Sequence, residues 1–167
     1  MGAKLLYPNG TIQHAGVILG VGGVADHAFR GMPGGGPGYV SRAVSAQQIS
    51  AVTAACLLCR ASASREVGGF DEEHLKVAFN DVDLCLRLGQ AGWKIIYAPG
   101  VVAEHHEALS RGSDMTADKR NRFYAENQAM LDRWGKLLAD DPFYSPHFSR
   151  SHGIFNMLSG KPPPSRF

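Results

Sequence analysis

No apolar run in the 167 residues approaches the roughly 18 needed for a membrane-crossing helix. Residues 1–6 lack the long apolar stretch of a secretory leader. Neither sign of charge dominates. Seventeen Lys and Arg stand against fifteen Asp and Glu, a formal net charge of +2. Without a broad one-signed field, a nucleic-acid or membrane-surface role gets no support. Cysteine is scarce: Cys56, Cys59 and Cys85 are an odd number with no disulfide-framework spacing, which points to a reducing, cytoplasmic compartment. What is present is the composition of a globular domain, with 44% hydrophobic and 19% charged residues. The length fits one ordinary domain with room for a core. Glycine is the unusual component, at 20 residues.

The first third is glycine-rich. Pro8-Asn9-Gly10 is a turn signal between two apolar stretches and predicts a short hairpin. Residues 15–21 read as strand. Residues 31–38, Gly-Met-Pro-Gly-Gly-Gly-Pro-Gly, predict an irregular, mobile loop. They lack the lysine and the strand-to-helix setting of a phosphate-binding loop. In the middle third, Ile49 to Cys59 reads as a buried strand and Ala61 to Val67 as a short helix. Apolar positions 82, 84–86, 88 and 91 predict a mostly buried helix, with Asn80 as N-cap, Asp81 and Asp83 in the first turn and Gly92 as the stop. A strand is expected over Trp93 to Ala98, then a turn at Pro99-Gly100. In the last third, Ser110 to Ser113 reads as a loop. A helix is expected from near Ala117 to Leu138, with Phe123, Asn127, Met130, Leu131, Trp134 and Leu138 on one face. The proline-containing remainder, residues 141–167, is expected along the surface or disordered.

Few residues could carry chemistry. Asp81 sits where a helix start offers free N–H groups and the positive end of its dipole, both of which suit a carboxylate. A fixed carboxylate there can act as a general base. The plainer reading is that Asp81 and Asp83 only open the helix. His105 and His106 follow a strand-like segment between Glu104 and Glu107. Neighbouring side chains on a strand point to opposite faces, so one ring could bind a metal while the other is solvated or packed. The plainer reading is two surface histidines. Cys56 and Cys59 have C-x-x-C spacing but no second pair, and read as small buried hydrophobes. Trp93, Tyr97, Phe123 and Trp134 read as core. His14 and His27 have no evident partners in the sequence.

The order of segments is more specific than any one of them. Val52-Thr53-Ala54-Ala55-Cys56-Leu57-Leu58-Cys59-Arg60 comes first, then Val67-Gly68-Gly69-Phe70-Asp71-Glu72 and Phe79-Asn80-Asp81-Val82-Asp83-Leu84-Cys85-Leu86-Arg87. Ala91-Gly92-Trp93-Lys94-Ile95-Ile96-Tyr97-Ala98-Pro99 follows, then His105-His106-Glu107 and Ser110-Arg111-Gly112. This series resembles the C-terminal half of inverting family 2 glycosyltransferases, of the rhamnosyltransferase-like and O-antigen type. Residues 2–16 resemble the segment after the sheet centre of those enzymes, and Asp141-Pro142-Phe143-Tyr144-Ser145-Pro146 resembles their tail.

The resemblance implies an α/β fold, the C-terminal part of a GT-A architecture with a Rossmann-like mixed sheet, incomplete by itself. Residues 1–140 would form that half domain and 141–167 an extended tail. It implies transfer of a sugar from a nucleotide-diphosphate donor to a saccharide or lipid-linked acceptor hydroxyl, with inversion, at the inner face of the plasma membrane. Asp81 matches the family's base, although Asn80 replaces the usual Glu before it. Thr53 and Ala54, with Asn80, match the acceptor side, and His105 matches a metal ligand, or His106 if the register slips by one. The metal would be Mg²⁺ or Mn²⁺, neutralising the departing diphosphate. The family's nucleotide-binding half and its Asp-x-Asp are absent before residue 52, so the chain reads as a C-terminal piece that is inactive alone. A second reading is a non-catalytic module that binds a partner or itself. Half a sheet leaves edges that pair readily, so a homo-oligomer is expected.

Overall fold

The computed structural model describes residues 1–106, 116–151, 154, 155 and 157–159. The expected loop at Ser110 to Ser113, Glu107, and the end of the tail from residue 160 lie outside these residues. The fold is mixed α/β, as the resemblance implies. Strands β1 (Gly2–Leu6), β2 (Ile12–His14), β5 (Gln47–Gln48) and β6 (Ile96–Glu104) form one sheet in the order β2-β1-β6-β5. β1 is antiparallel to β2 and parallel to β6, while β5 is antiparallel to β6, so the sheet is mixed. β3 (Val17–Leu19) and β4 (Ala25–His27) make a separate antiparallel pair. The helices are α1 (Ala61–Glu66), α2 (Asn80–Gln90) and α3 (Ala117–Ala139).

The Pro8-Asn9-Gly10 turn joins β1 to β2 as expected. The Tyr7 N–H reaches the Thr11 carbonyl at 2.8 Å and Gly10 takes φ +77°. The start and end of α3 fall where the sequence places them, with Thr116 accepting the Lys119 N–H as cap. α2 buries Val82, Asp83, Leu84, Cys85, Leu86 and Leu88. A helix covered on most of its faces is a central one. It shares the core with Ile12, Ile18 and Leu19 from the hairpins and with Met130, Trp134 and Leu138 from α3. Gly92 (φ +88°) ends α2: the Trp93 N–H bonds the Leu88 carbonyl and the Gly92 N–H bonds that of Gly89.

Several expectations are corrected. Ile49 to Cys59 is not a strand. Residues 49–52 are buried, with the Val17 N–H on the Ala51 carbonyl in an isolated bridge, but Thr53 then caps a 3-10 turn over Ala54–Cys56 by accepting the Ala55 N–H. Local side-chain capping wins over β propensity there. Cys56 and Cys59 are consequently half-buried, and only Cys85 is buried. Its thiol is pushed up to about 12 by burial. Pro99-Gly100 does not turn the chain. β6 runs through it as a bulge: Ala3 pairs with Ala98 and Lys4 with Val102, because proline has no N–H for the ladder. Asn80 is not the N-cap. Phe79, left-handed at φ +61°, holds that position without a side-chain cap, and Asn80 is the first helical residue.

The 31–38 loop is irregular but pinned. The Ile12 N–H meets the Met32 carbonyl at 2.7 Å, and the buried Lys4 ammonium donates to the carbonyls of Gly34 and Ala43. On α3 the buried face is Glu126, Met130, Trp134 and Leu138, while Phe123 and Leu131 are exposed. Trp93 is only partly buried. Beyond α3, Asp141 and Tyr144 are buried rather than superficial. Asp141 accepts from the Leu19 N–H at 2.8 Å and the Ser50 hydroxyl at 2.7 Å, tying the chain back to β3.

Candidate functional site

The start of α2 faces the 53–56 turn. Asp81 Oδ2 accepts the Ala54 N–H at 2.9 Å, and Oδ1 accepts the N–H of Val82 at 2.8 Å. A carboxylate has about four lone-pair positions, so capacity remains for a further proton donor. Thr53 stands on the same turn, and Asn80 directly precedes Asp81 on α2. Asp81, Thr53 and Ala54, singled out separately along the sequence, therefore adjoin in space.

Asp83, two residues on, is different. It is fully buried and receives Arg87 Nε at 2.8 Å, Arg133 Nη1 at 2.7 Å and Trp134 Nε1 at 2.9 Å. Arg87 also donates to the carbonyls of Val67 and Gly69, and Arg133 Nη2 reaches Asp71 at 2.8 Å. The N–H of His74, and then the Arg133 guanidinium, hold the Asp71 carboxyl well below its usual range. One aspartate of the pair thus locks α2 to α3, and the other is presented to a surface.

His105 and Thr53 line one small cavity of about 60 Å³, together with Gln13, His27, Arg30 and Ala55. The His105 N–H bonds the Leu6 carbonyl, continuing the β1 pairing, and its Nδ1 lies 2.8 Å from Gln13 Oε1. His106 makes a different contact: its Nε2 is 2.6 Å from Glu104 Oε1, with both side chains about half exposed. Of His105 and His106, it is therefore His105 that lines the cavity. Among the described residues no group of three His, Cys, Asp or Glu side chains could enclose a metal. These residues do not by themselves fit a metal site, and His105 offers one imidazole.

Sequence reasoning missed Gln13, His27 and Arg30. The available signal was alternation on β2: Gln13 turns to the cavity, while His14 is buried against Tyr97. His14 Nδ1 lies 2.8 Å from His27 Nδ1, and its Nε2 has no hydrogen-bond partner among the described residues. Burial, then the neighbouring His27, hold His14 well below its ordinary value. His27 and Arg30 also line a larger open cavity of about 740 Å³, beside Phe29, Met32, Asp26 and Arg150. The Arg30 guanidinium pairs with Asp26 at 2.8 Å. The two cavities share these side chains, so the small one with His105 and Thr53 adjoins a space of ligand size.

No family model and no solved structure matches the chain. Among curated proteins it is 44% identical over 159 residues to an uncharacterized protein of Sinorhizobium fredii, a match covering 95% of this chain and 18% of that one. It is 34% identical over 154 residues to the O-antigen biosynthesis protein RfbC of Myxococcus xanthus, covering 89% of this chain and 11% of the relative. Over 70 residues it is 44% identical to the N-acetylglucosaminyl-diphospho-decaprenol L-rhamnosyltransferase of Mycobacterium tuberculosis, covering 42% of this chain and 22% of that enzyme. The chain thus spans about a fifth or less of the length of these relatives. It is similar to part of bacterial glycosyltransferases of the rhamnosyltransferase-like and O-antigen kind, the resemblance carried by its motifs.

Proposed function

We propose that this chain carries the base and the acceptor side of an inverting, family 2 type glycosyltransferase acting in cell-surface polysaccharide synthesis. The carrying observation is the Asp81 carboxylate, fixed by the Ala54 and Val82 N–H groups beside Thr53. In this reading the acceptor hydroxyl gives its proton to Asp81 as its oxygen bonds the anomeric carbon. The bond from that carbon to the donor's diphosphate breaks, and the nucleoside diphosphate leaves with the electron pair. Attack and departure occur on opposite faces, which inverts the centre. Thr53, Ala54 and Asn80 would line the acceptor. A Mg²⁺ or Mn²⁺ ion would offset charge on the leaving diphosphate; His105 would give it one ligand, and the others would come from outside the described residues.

The names of the relatives support the transferase reading. No helix among the described residues is long and apolar enough to cross a membrane. The partners proposed are a nucleotide-sugar donor and a saccharide or lipid-linked acceptor in the cytoplasm. The nucleotide is held by residues other than these, so the 167-residue chain alone transfers no sugar. The test is to supply a nucleotide-diphosphate sugar and acceptor and determine the product's anomeric configuration by NMR. The whole protein should give the inverted product and the chain alone none. A retained configuration, or enzyme-like turnover by the chain alone, would refute the reading. Self-association is part of the same proposal, because Val101 and Val102 stand more than half exposed on β6. Light scattering should find a dimer or larger species; a stable monomer at high concentration contradicts this.

A further inference from the structure

We infer that Glu126 is the positioning residue for Asp81; this rests on the reading of Asp81 as the base. Glu126 lies on α3, outside the sequence segments that carry the resemblance, and is 2% exposed. Its carboxylate meets the backbone just before α2. Oε1 accepts the Val77 N–H at 3.1 Å and Oε2 accepts the Ala78 N–H at 2.8 Å. Arg122 Nε is 3.8 Å from Oε1. A carboxylate is retained in such a place when its oxygens are matched by fixed donors, as these are.

Residues 76–79 lie in no helix or strand, so no ladder fixes them. Phe79, which follows the two bonded amides, takes the left-handed conformation that a side chain of its size rarely adopts. Such a conformation persists where the surroundings over-determine it. Here α3 grips twice: Glu126 holds the amides of 77 and 78, and the Phe123 ring packs on the Phe79 ring at 5.7 Å between centroids. The Phe79 carbonyl then accepts the Asp83 N–H and opens α2. The angle at which Asp81 leaves that first turn, and so its aim at the 53–56 turn, is set by this grip. Among the described residues the Glu126 carboxylate bonds the Val77 and Ala78 amides and lies near Arg122, none of which lines the cavity, so its effect on transfer passes through Asp81.

The test is a double-mutant cycle on sugar transfer by the whole protein, using Glu126→Gln, Asp81→Asn and the pair. The Gln side chain keeps one acceptor and turns an amide N–H₂ toward the other backbone N–H. Misplacing the base should lower kcat by about 10- to 100-fold with little change in KM for the donor. In the Asp81→Asn background the same substitution should cost nothing further, because the group it positions is gone. Additive losses, or a wild-type kcat for Glu126→Gln beside an inactive Asp81→Asn, would overturn the inference. A wild-type rate for Asp81→Asn would instead overturn the base itself. If Glu126→Gln does not fold, Phe123→Leu on the partly exposed side of the same grip replaces it in the cycle, with the same two outcomes.

Discussion

Two aspartates one residue apart should fail in opposite ways when changed to asparagine. Asp83 is completely buried and matched by two guanidinium donors and an indole N–H. Its replacement removes the charge and turns an amide N–H₂ toward one of the arginines. Breaking a buried ion pair on one side costs about 3–5 kcal/mol. Arg87 keeps the carbonyls of Val67 and Gly69, and Arg133 keeps Asp71, so the lower end applies, about 3 kcal/mol. In a chain of this size that lowers Tm by roughly 6–12 °C. Asp81 is only partly buried, and its two bonds are to backbone N–H groups at the edge of the fold. An asparagine oxygen can keep one of them, so Asp81→Asn should cost about 1 kcal/mol or less. Urea unfolding of the 167-residue chain reads both, and Trp134, bonded to Asp83, is a convenient fluorophore. Asp83→Asn within about 1 kcal/mol of the parent, or an equal loss from both variants, would refute this division of labour.

Stability should also fall as pH drops from 7.5 to 5.5. His14 is held neutral in the fold by burial and by His27, whereas the unfolded chain takes up a proton near pH 6.5, roughly. Its contribution is therefore complete above that pH and is lost as pH falls toward the lower folded value. Urea midpoints across the range should flatten in His14→Gln; an unchanged slope contradicts the buried-histidine explanation. Asp71, depressed chiefly by the His74 N–H, contributes in a separate window below about pH 4. Gly20→Ala should lower stability by about 2 kcal/mol or more, because the residue sits at φ +75° and a Cβ there meets the Leu138 carbonyl. Gly100→Ala, with open space around it, should be nearly neutral; thermal melting of both variants checks the pair.

The elements with a strong local signature were legible. The turn at 8–10, the apolar spacing of α2, its Gly92 stop and the bounds of α3 all follow from residue types within one or two turns. The failures share a cause. Ile49 to Cys59 has β composition, yet Thr53 bonds its own backbone two residues on and folds a turn under Asp81. Pro99-Gly100 has the letters of a turn, but β1 pairs with β6 on both sides of it, at Ala98 and again from Val102, so the strand continues through it as a bulge. Phe79 could not be read as a cap, because nothing in its neighbourhood favours a left-handed phenylalanine; α3, more than forty residues later, imposes it. At the site, Asp81, Thr53, Ala54 and His105 were visible as a family-like series. Gln13, His27 and Arg30 were not, because only the tertiary fold sets the hairpins against residue 105.

The most direct test of Asp81 as base is the transfer rate of the whole protein carrying Asp81→Asn, measured with a nucleotide-diphosphate sugar and its acceptor. Thermal melting should first show the variant folded. Loss of a general base is expected to lower kcat by roughly 10²- to 10⁴-fold, with KM for the donor little changed. A folded Asp81→Asn protein that transfers sugar at the parent rate would contradict it.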